Sequence, residues 1–378
     1  MRKIYIIGGA VGSCRTQNLI KYLLDHNYIV YYNPVSLSFY KDKKGLKMLI
    51  RKTIKTLEKL LLFPYRVYYI AMSEIVILPA MQNNYQSWLK IASFFGKRII
   101  CDYYISFFDT EVLDREKYSI NSRQAKRLMA YDYSCINRSN YVFFLNTTEA
   151  HRYLNLVNIT YDNKKHLIVP LVIEESIKCK LPYYNSDHST FNICWWGTYI
   201  PLHGLENILK ACQLLLLSKK IKFHLYLFGN DEEKSVFYRR LIKDLGISEV
   251  VTMENSYTFK NGKLGVFLEN NCDLVLGNFG NSEKAKNVLV NKLVDGVAMK
   301  APVLTGESIA PLEFFSKNDI FYSYNSPEEI VKAIVSISKE STVDIQARVN
   351  NAYKVYRRFF SPTAFYRNLD NLFEKLIQ

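Results

Sequence analysis

Along the chain, short apolar runs alternate with longer stretches in which apolar residues recur every three to four positions. The first pattern is that of a strand buried on both faces, the second that of a helix laid by one side on a sheet. In the first half these patterns predict strands at 3–9, 28–32, 74–78, 98–104, 141–145 and 167–170, and helices at 16–26, 45–62, 85–95 and 121–138. Strands spaced by helices of this length need crossover connections, and so a parallel sheet. Residues 174–190 break the rhythm with polar side chains, Pro182 and Asn185-Ser186-Asp187. It resumes with strands at 191–196, 223–228, 250–253 and 273–276 and helices at 205–218 and 233–245. In the 205–218 segment Leu205, Ile208, Leu209, Cys212, Leu215 and Leu216 share one face, as packing on a sheet requires. Ser326-Pro327-Glu328-Glu329 starts a further helix, with a capping serine, proline at the first turn and glutamate three residues after the cap. The last stretch, 345–378, is helical in pattern and broken at Ser361-Pro362.

The fold class is therefore α/β, with two doubly wound Rossmann-like domains, 1–173 and 191–360, joined by a linker at 174–190. A length of 378 residues agrees, since one hydrophobic core rarely organises so long a chain. The most apolar window, 60–78, is interrupted by Pro64, Arg66 and Glu74, so no segment is expected to span a bilayer. The opening apolar run is four residues, Ile4 to Ile7, and ends in Gly8-Gly9, which suits a first buried strand better than a secretory leader. Seven scattered cysteines without a Cys-x-x-Cys pair suit reduced thiols in a cytoplasmic protein, and six dispersed histidines give no structural metal site.

A net charge of +15 calls for an anionic partner. Part of the excess lies in Lys41, Lys43, Lys44, Lys47, Arg51, Lys52, Lys55 and Lys59, opposed only by Asp42 and Glu58 and interleaved with leucines and isoleucines at helical spacing. A basic amphipathic helix at 45–62 suits an anionic membrane surface, and it equally suits a solvated helix covering a sheet; the two readings are compatible. It lacks interleaved stacking aromatics, so no nucleic-acid partner is expected.

The richest stretch for chemistry is 278–306, with a glycine-bearing loop after an apolar strand, an amphipathic helix that is polar in its first turns, and a strand ending in Gly306. Helix-start N–H groups at a strand end make a phosphate site, and Lys284 and Lys286, placed in the loop, add positive charge. The loose Gly8-Gly9-x-x-Gly12 after the first strand allows close backbone approach to a sugar or phosphate, and equally a tight turn without ligand contact.

Three stretches together resemble the retaining GT-B glycosyltransferases of the large bacterial nucleotide-sugar family, family 4-like, that builds surface polysaccharides. They are Trp-Gly-Thr-Tyr-Ile-Pro-Leu-His-Gly-Leu-Glu-Asn-Ile-Leu-Lys-Ala from Trp196, the run from Asp273 to Gly306, and Asp-Tyr-Tyr-Ile-Ser-Phe-Phe-Asp-Thr-Glu-Val-Leu-Asp-Arg from Asp102. The resemblance implies a first domain that binds the acceptor, a second that binds the nucleotide sugar, and a terminal helix, 361–378, that returns to the first. It implies that Asp295, one methylene shorter than the family's glutamate, accepts the donor's ribose hydroxyls. Asn287 stands where many members place a sugar-contacting glutamate, with Glu283 one helical turn upstream. Thr198 and His203 stand where an arginine and a lysine usually neutralise the diphosphate, so Lys284, Lys286 or Lys292 is expected to supply charge, Lys284 first among them. Gly9 and Gly229 complete the expected donor contacts, and Asp109 or Asp114 is placed to orient the acceptor hydroxyl.

The implied activity is transfer of a sugar from a nucleotide-diphosphate sugar to a lipid-linked or growing saccharide, with retention. Neither cofactor nor metal is implied, and the setting is the cytoplasmic face of the plasma membrane. Two alternatives keep the fold: an epimerase-like enzyme, and a binding or scaffold protein in which Thr198, His203 and Asn287 mark lost catalytic groups.

Overall fold

The computed structural model describes residues 2–8, 13–32, 46–174, 190–229 and 231–377, leaving aside the side chains of 46–56, 58, 59, 232 and 377. Gly9, Gly12, most of the 174–190 linker and most of the side chains in the basic stretch 41–59 lie outside the described residues. The chain divides into two compact units, Met1–Leu145 with Ala150–Val169, and Asn146–Glu149 with Pro170–Gln378.

The first unit is built on strands β1 (Lys3–Ile6), β2 (Ile29–Tyr32), β3 (Ile75–Leu78), β4 (Arg98–Asp102), β5 (Tyr141–Phe144) and β6 (His166–Ile168). All pair in parallel, in the order β2-β1-β3-β4-β5-β6. The all-buried run Ile-Val-Ile-Leu of β3 is what a central strand covered on both faces demands. Around this sheet run α1 (Cys14–Asp25), α2 (Leu46–Met72), α3 (Ser87–Phe94), α4 (Arg123–Arg138) and α5 (Thr147–Leu156).

Helix α2 runs ten residues past the predicted end, straight through Pro64. Proline deprives the Leu60 carbonyl of its bond, but that turn lies at the surface, with Leu60, Leu61 and Phe63 exposed, so water can take the carbonyl. Beyond it Arg66 and Ile70 are buried, Arg66 against the rings of Tyr85 and Trp88, and this packing holds the extra turns. The α5 helix escapes the pattern reading because its buried face carries few apolar residues, Ala150, Tyr153 and Leu154, beside the buried Glu149.

The second unit repeats the design with β7 (Phe191–Gly197), β8 (Phe223–Gly229), β9 (Val251–Met253), β10 (Leu274–Leu276), β11 (Val303–Gly306) and β12 (Phe321–Ser323). Their order is β12-β11-β10-β7-β8-β9, all parallel, so the winding reverses between β7 and β10. Its helices are α6 (Leu205–Ser218), α7 (Glu232–Asp244), α8 (Lys263–Asn271), α9 (Glu283–Asn287), α10 (Asn291–Ala298), α11 (Ile309–Leu312), α12 (Pro327–Ile337), α13 (Thr342–Phe359) and α14 (Pro362–Ile377). The predicted cap at α12 forms, with the Ser326 hydroxyl accepting from the Glu329 amide. Leu205, Ile208, Leu209, Cys212 and Leu215 of α6 are buried in the core as their spacing requires.

One element departs in a way that bears on the site. Lys284 and Lys286, expected in a loop, are wound into α9, capped by the Ser282 hydroxyl accepting from the Ala285 amide at 3.1 Å. Leu289 and Val290 then turn into the core and break the helix before α10 begins.

Candidate functional site

In a doubly wound sheet the crevice forms at the carboxyl ends of the strands where the winding reverses. Here that point is the end of β7 beside the end of β10, and the two loops that leave it are stitched together. Gly204 has φ of +60°, and a Cβ on it would overlap the Phe279 carbonyl. A Cβ on Gly280 would in turn overlap the Leu202 carbonyl oxygen. The Phe279 amide donates to the His203 carbonyl at 3.1 Å, and Asn207 Nδ2 donates to the Phe279 carbonyl at 3.1 Å. Asn278 fixes the second loop by accepting the Gly280 amide at 3.1 Å and donating to the Ala285 carbonyl at 3.0 Å. Asn325 Nδ2 adds a bond to the Gly280 carbonyl at 2.8 Å.

Against this frame, the first turns of α10 bring two ionisable residues to the end of β7. Lys292 is 3% exposed, and its ammonium nitrogen lies 4.2 Å from the centre of the Trp195 ring. A Cβ on Gly197 would come within 3.3 Å of Lys292 Cε and Nζ, so the missing side chain there leaves room for the lysine. Asp295, one turn on and half-buried, accepts from Trp196 Nε1 through Oδ2 at 3.2 Å. His203, 8% exposed, stands edge-on to Trp195 with ring centroids 5.8 Å apart. Lys292 Nζ, His203 Nδ1 and Trp195 Nε1 are buried without a hydrogen-bond partner among the described residues. Three such atoms side by side are unusual, because buried polar groups are nearly always satisfied.

Burial sets the charge states. It holds the Lys292 ammonium well below its ordinary range, with Asp295 pulling the other way. The Asp295 carboxyl is pushed up to about 7 by burial, opposed by the Trp196 N–H and by Lys292. His203 is driven well below its usual value by burial and by Lys292. The histidine is thus neutral near pH 7, where its ordinary value would leave it partly cationic. An arriving anion would favour the charged form of Lys292, against the pull of burial, and give the orphaned groups a partner.

The other expected residues fall as follows. Thr198 is half-buried in the loop after β7. Gly229 ends β8, and a Cβ there would overlap the Tyr199 ring, so the space that glycine leaves is filled by Tyr199. Lys284, expected in the loop before the helix, is buried within α9. Glu283 is exposed and paired with Lys286 at 2.5 Å, while Asn287 donates to the Glu283 carbonyl within α9.

Asp109 belongs to the first unit, where the π-turn Asp109–Asp114 follows β4. It is fully buried and paired with Arg152 at 2.5 Å. The turn is held from behind by buried Asp132, which accepts from Asn83, from the Ser106 hydroxyl and from the Phe107 and Phe108 amides. Arg15 caps the same end of β4, its Nε 2.7 Å from Asp102 Oδ2 and its Nη2 donating to the Val169 carbonyl at 3.0 Å.

The residues missed from sequence are Trp195, Gly197, Gly204 and Gly280, and the part that Trp196 plays. A Trp-Trp-Gly run at a strand end was the available signal. Among the described residues no cluster of three or more His, Cys, Asp or Glu side chains is arranged to hold a metal ion, and no helix is long and apolar enough to cross a membrane.

No family model matches the chain, and no curated protein matches it in sequence. Solved structures do. The chain is similar over 100% of its length, and 99% of the other's, to sucrose-phosphate synthase from Thermosynechococcus elongatus, with a TM-score of 0.72 and 12% identity. It is similar over 99% of its length to the whole of Anabaena Alr3699/HepE solved in complex with UDP-glucose, at TM-score 0.66 and 12% identity. A glycosyltransferase from Rickettsia africae matches over 100% of this chain and 99% of its own, at TM-score 0.65 and 13% identity. At such identities the likeness establishes the architecture, and the chain has the GT-B fold of two Rossmann-like units.

Proposed function

We propose that this protein is a glycosyltransferase that moves a sugar from a nucleoside-diphosphate sugar to a saccharide or lipid-linked saccharide acceptor, with retention of configuration, in bacterial surface polysaccharide assembly. The observation that carries the reading is the buried, partnerless Lys292 ammonium beside Gly197 at the winding reversal of the second unit. Among the similar structures, the HepE protein is described with UDP-glucose.

In this reading Lys292 binds the diphosphate and Asp295 accepts the ribose hydroxyls. The largest barrier is loss of the sugar from its phosphate, which leaves an oxocarbenium-like sugar and a departing diphosphate. A cation fixed in a low-dielectric corner lowers that barrier, since the charge it meets develops in the transition state. His203, neutral, donates a hydrogen bond where a permanently charged side chain is usual. Lys284 stays a secondary source of charge. The acceptor hydroxyl attacks from the leaving group's side and gives its proton to a phosphate oxygen, so the chain supplies binding and orientation and no dedicated base.

For the setting, exposed Leu57, Leu60, Leu61 and Phe63 on α2 sit beside the basic stretch of a chain with net charge +15. This favours a cytoplasmic protein resting on anionic lipid. Binding to phosphatidylglycerol vesicles should fall with salt, and salt-insensitive or absent binding removes the membrane from the account.

The functional test is a thermal-shift screen of nucleotide sugars, followed by nucleoside diphosphate release from each hit with and without saccharide acceptors. Acceptor-dependent release is expected. Turnover that ignores the acceptor would indicate an epimerase-like activity, and no stabilisation by any nucleotide sugar would overturn the reading.

A further inference from the structure

The last residues of β7 carry two tryptophans that treat the two ionisable groups of α10 differently. Trp195 offers its ring face to the Lys292 ammonium, at 4.2 Å from the ring centre. Trp196, 5% exposed, meets Asp295 with its indole N–H, a hydrogen bond spanning 99 residues of sequence. Phe259 stands edge-on to the Trp196 ring, with centroids 5.8 Å apart, and helps fix its plane. An aspartate reaches less far than a glutamate from the same helix position, so its carboxylate depends more on what holds it. A single N–H on one oxygen leaves the other oxygen for a second donor.

Resting on the functional reading above, we propose that Trp196 is a positioning residue: its indole N–H holds one oxygen of Asp295 so that the other is presented to the ribose hydroxyls of a nucleoside diphosphate. Trp196 touches neither the diphosphate nor the sugar in this arrangement. Its effect is confined to the part of the ligand that Asp295 reads, and the diphosphate remains with Lys292.

That confinement gives the test. Binding of UDP, GDP, ADP and inorganic pyrophosphate is measured by calorimetry on the full-length protein, Trp196→Phe and Asp295→Ala. Phenylalanine keeps an aromatic ring at this position and removes the donor, and the pyrophosphate control reads the loss of ring volume. Trp196→Phe should weaken the best-bound nucleoside diphosphate about tenfold, the value of one hydrogen bond to a charged group, and leave pyrophosphate within twofold. It should also erase the wild-type preference for the ribonucleotide over its 2′-deoxy form. If Asp295→Ala loses affinity while Trp196→Phe binds as wild type, the positioning role is wrong and the functional reading stands. Equal losses for nucleotide and pyrophosphate in Trp196→Phe would mean general damage to the strand end and would also overturn the proposal. If Asp295→Ala itself binds every nucleoside diphosphate as wild type does, the functional reading of this corner fails.

Discussion

Replacing Asp295 by asparagine isolates what burial does to this carboxyl. The amide oxygen can still accept from Trp196 Nε1, so the 3.2 Å bond is retained while the titration is removed. In the folded protein the carboxyl stands at about 7, against 3.8 for an ordinary aspartate. Between these values the unfolded chain has released its proton and the folded chain has not. The folded pKa is raised, so the stabilisation is full below pH 3.8 and is lost as pH rises through about 7. At ~1.4 kcal/mol per unit, a rise of about three units corresponds to ~4 kcal/mol, and partial exposure of the residue brings the expected figure to ~2–4 kcal/mol. The assay is urea unfolding of wild type and Asp295→Asn at pH 4.5 and pH 8, followed by tryptophan fluorescence. Two of the three tryptophans, Trp195 and Trp196, lie in the unit concerned. The variant's stability relative to wild type should rise by that amount between the two pH values. A difference that does not change with pH would refute the burial argument for Asp295.

Further outcomes follow from the packing around the site. Gly280→Ala forces a Cβ into the Leu202 carbonyl and should cost more than ~2 kcal/mol, whereas Gly246→Ala, with φ of +66° but open space around it, should cost only ~1 kcal/mol by chemical denaturation. Equal costs would mean that the two loops are not held backbone to backbone. Arg15→Met leaves Asp102 buried without its partner and should destabilise the first unit by ~3–5 kcal/mol. A near-neutral result would remove that pair from the account of how the end of β4 is held. Binding of a nucleoside diphosphate should draw the lowered Lys292 pKa back up, so the proton linkage of binding should run toward uptake and grow as pH rises. Calorimetry in buffers of different ionisation enthalpy reads this directly, and uptake unchanged in Lys292→Met would assign the proton elsewhere.

The architecture was legible because each buried strand announces itself locally. The Ile-Val-Ile-Leu run of β3 and the one-sided leucines of α6 need no knowledge of distant residues. The site was legible only in part. Asp295 and Lys292 stood out through their helix and a family likeness, but nothing local says that Lys292 is buried over Trp195, 97 positions earlier in the sequence. Lys284 was favoured because a lysine near glycines reads as loop, and the cap at Ser282 that winds it into α9 competes with that reading. The part played by the tryptophans at the end of β7 depends on which helix turn the fold sets against them, and nothing local in the sequence says which. Pro64 misled for a related reason: its cost is local, while the burial of Arg66 and Ile70 that outweighs it is tertiary.

The central claim is that the partnerless lysine at the winding reversal of the second unit holds a nucleotide's diphosphate. Its most direct test is calorimetric titration of UDP, GDP and ADP into wild type and Lys292→Met, a substitution that keeps the length of the side chain and removes its charge. The account expects wild type to bind at least one of the three, and the variant to bind it ten- to a hundredfold more weakly while unfolding no more easily, as loss of one or two charge-assisted hydrogen bonds requires. Undiminished affinity in Lys292→Met would contradict it.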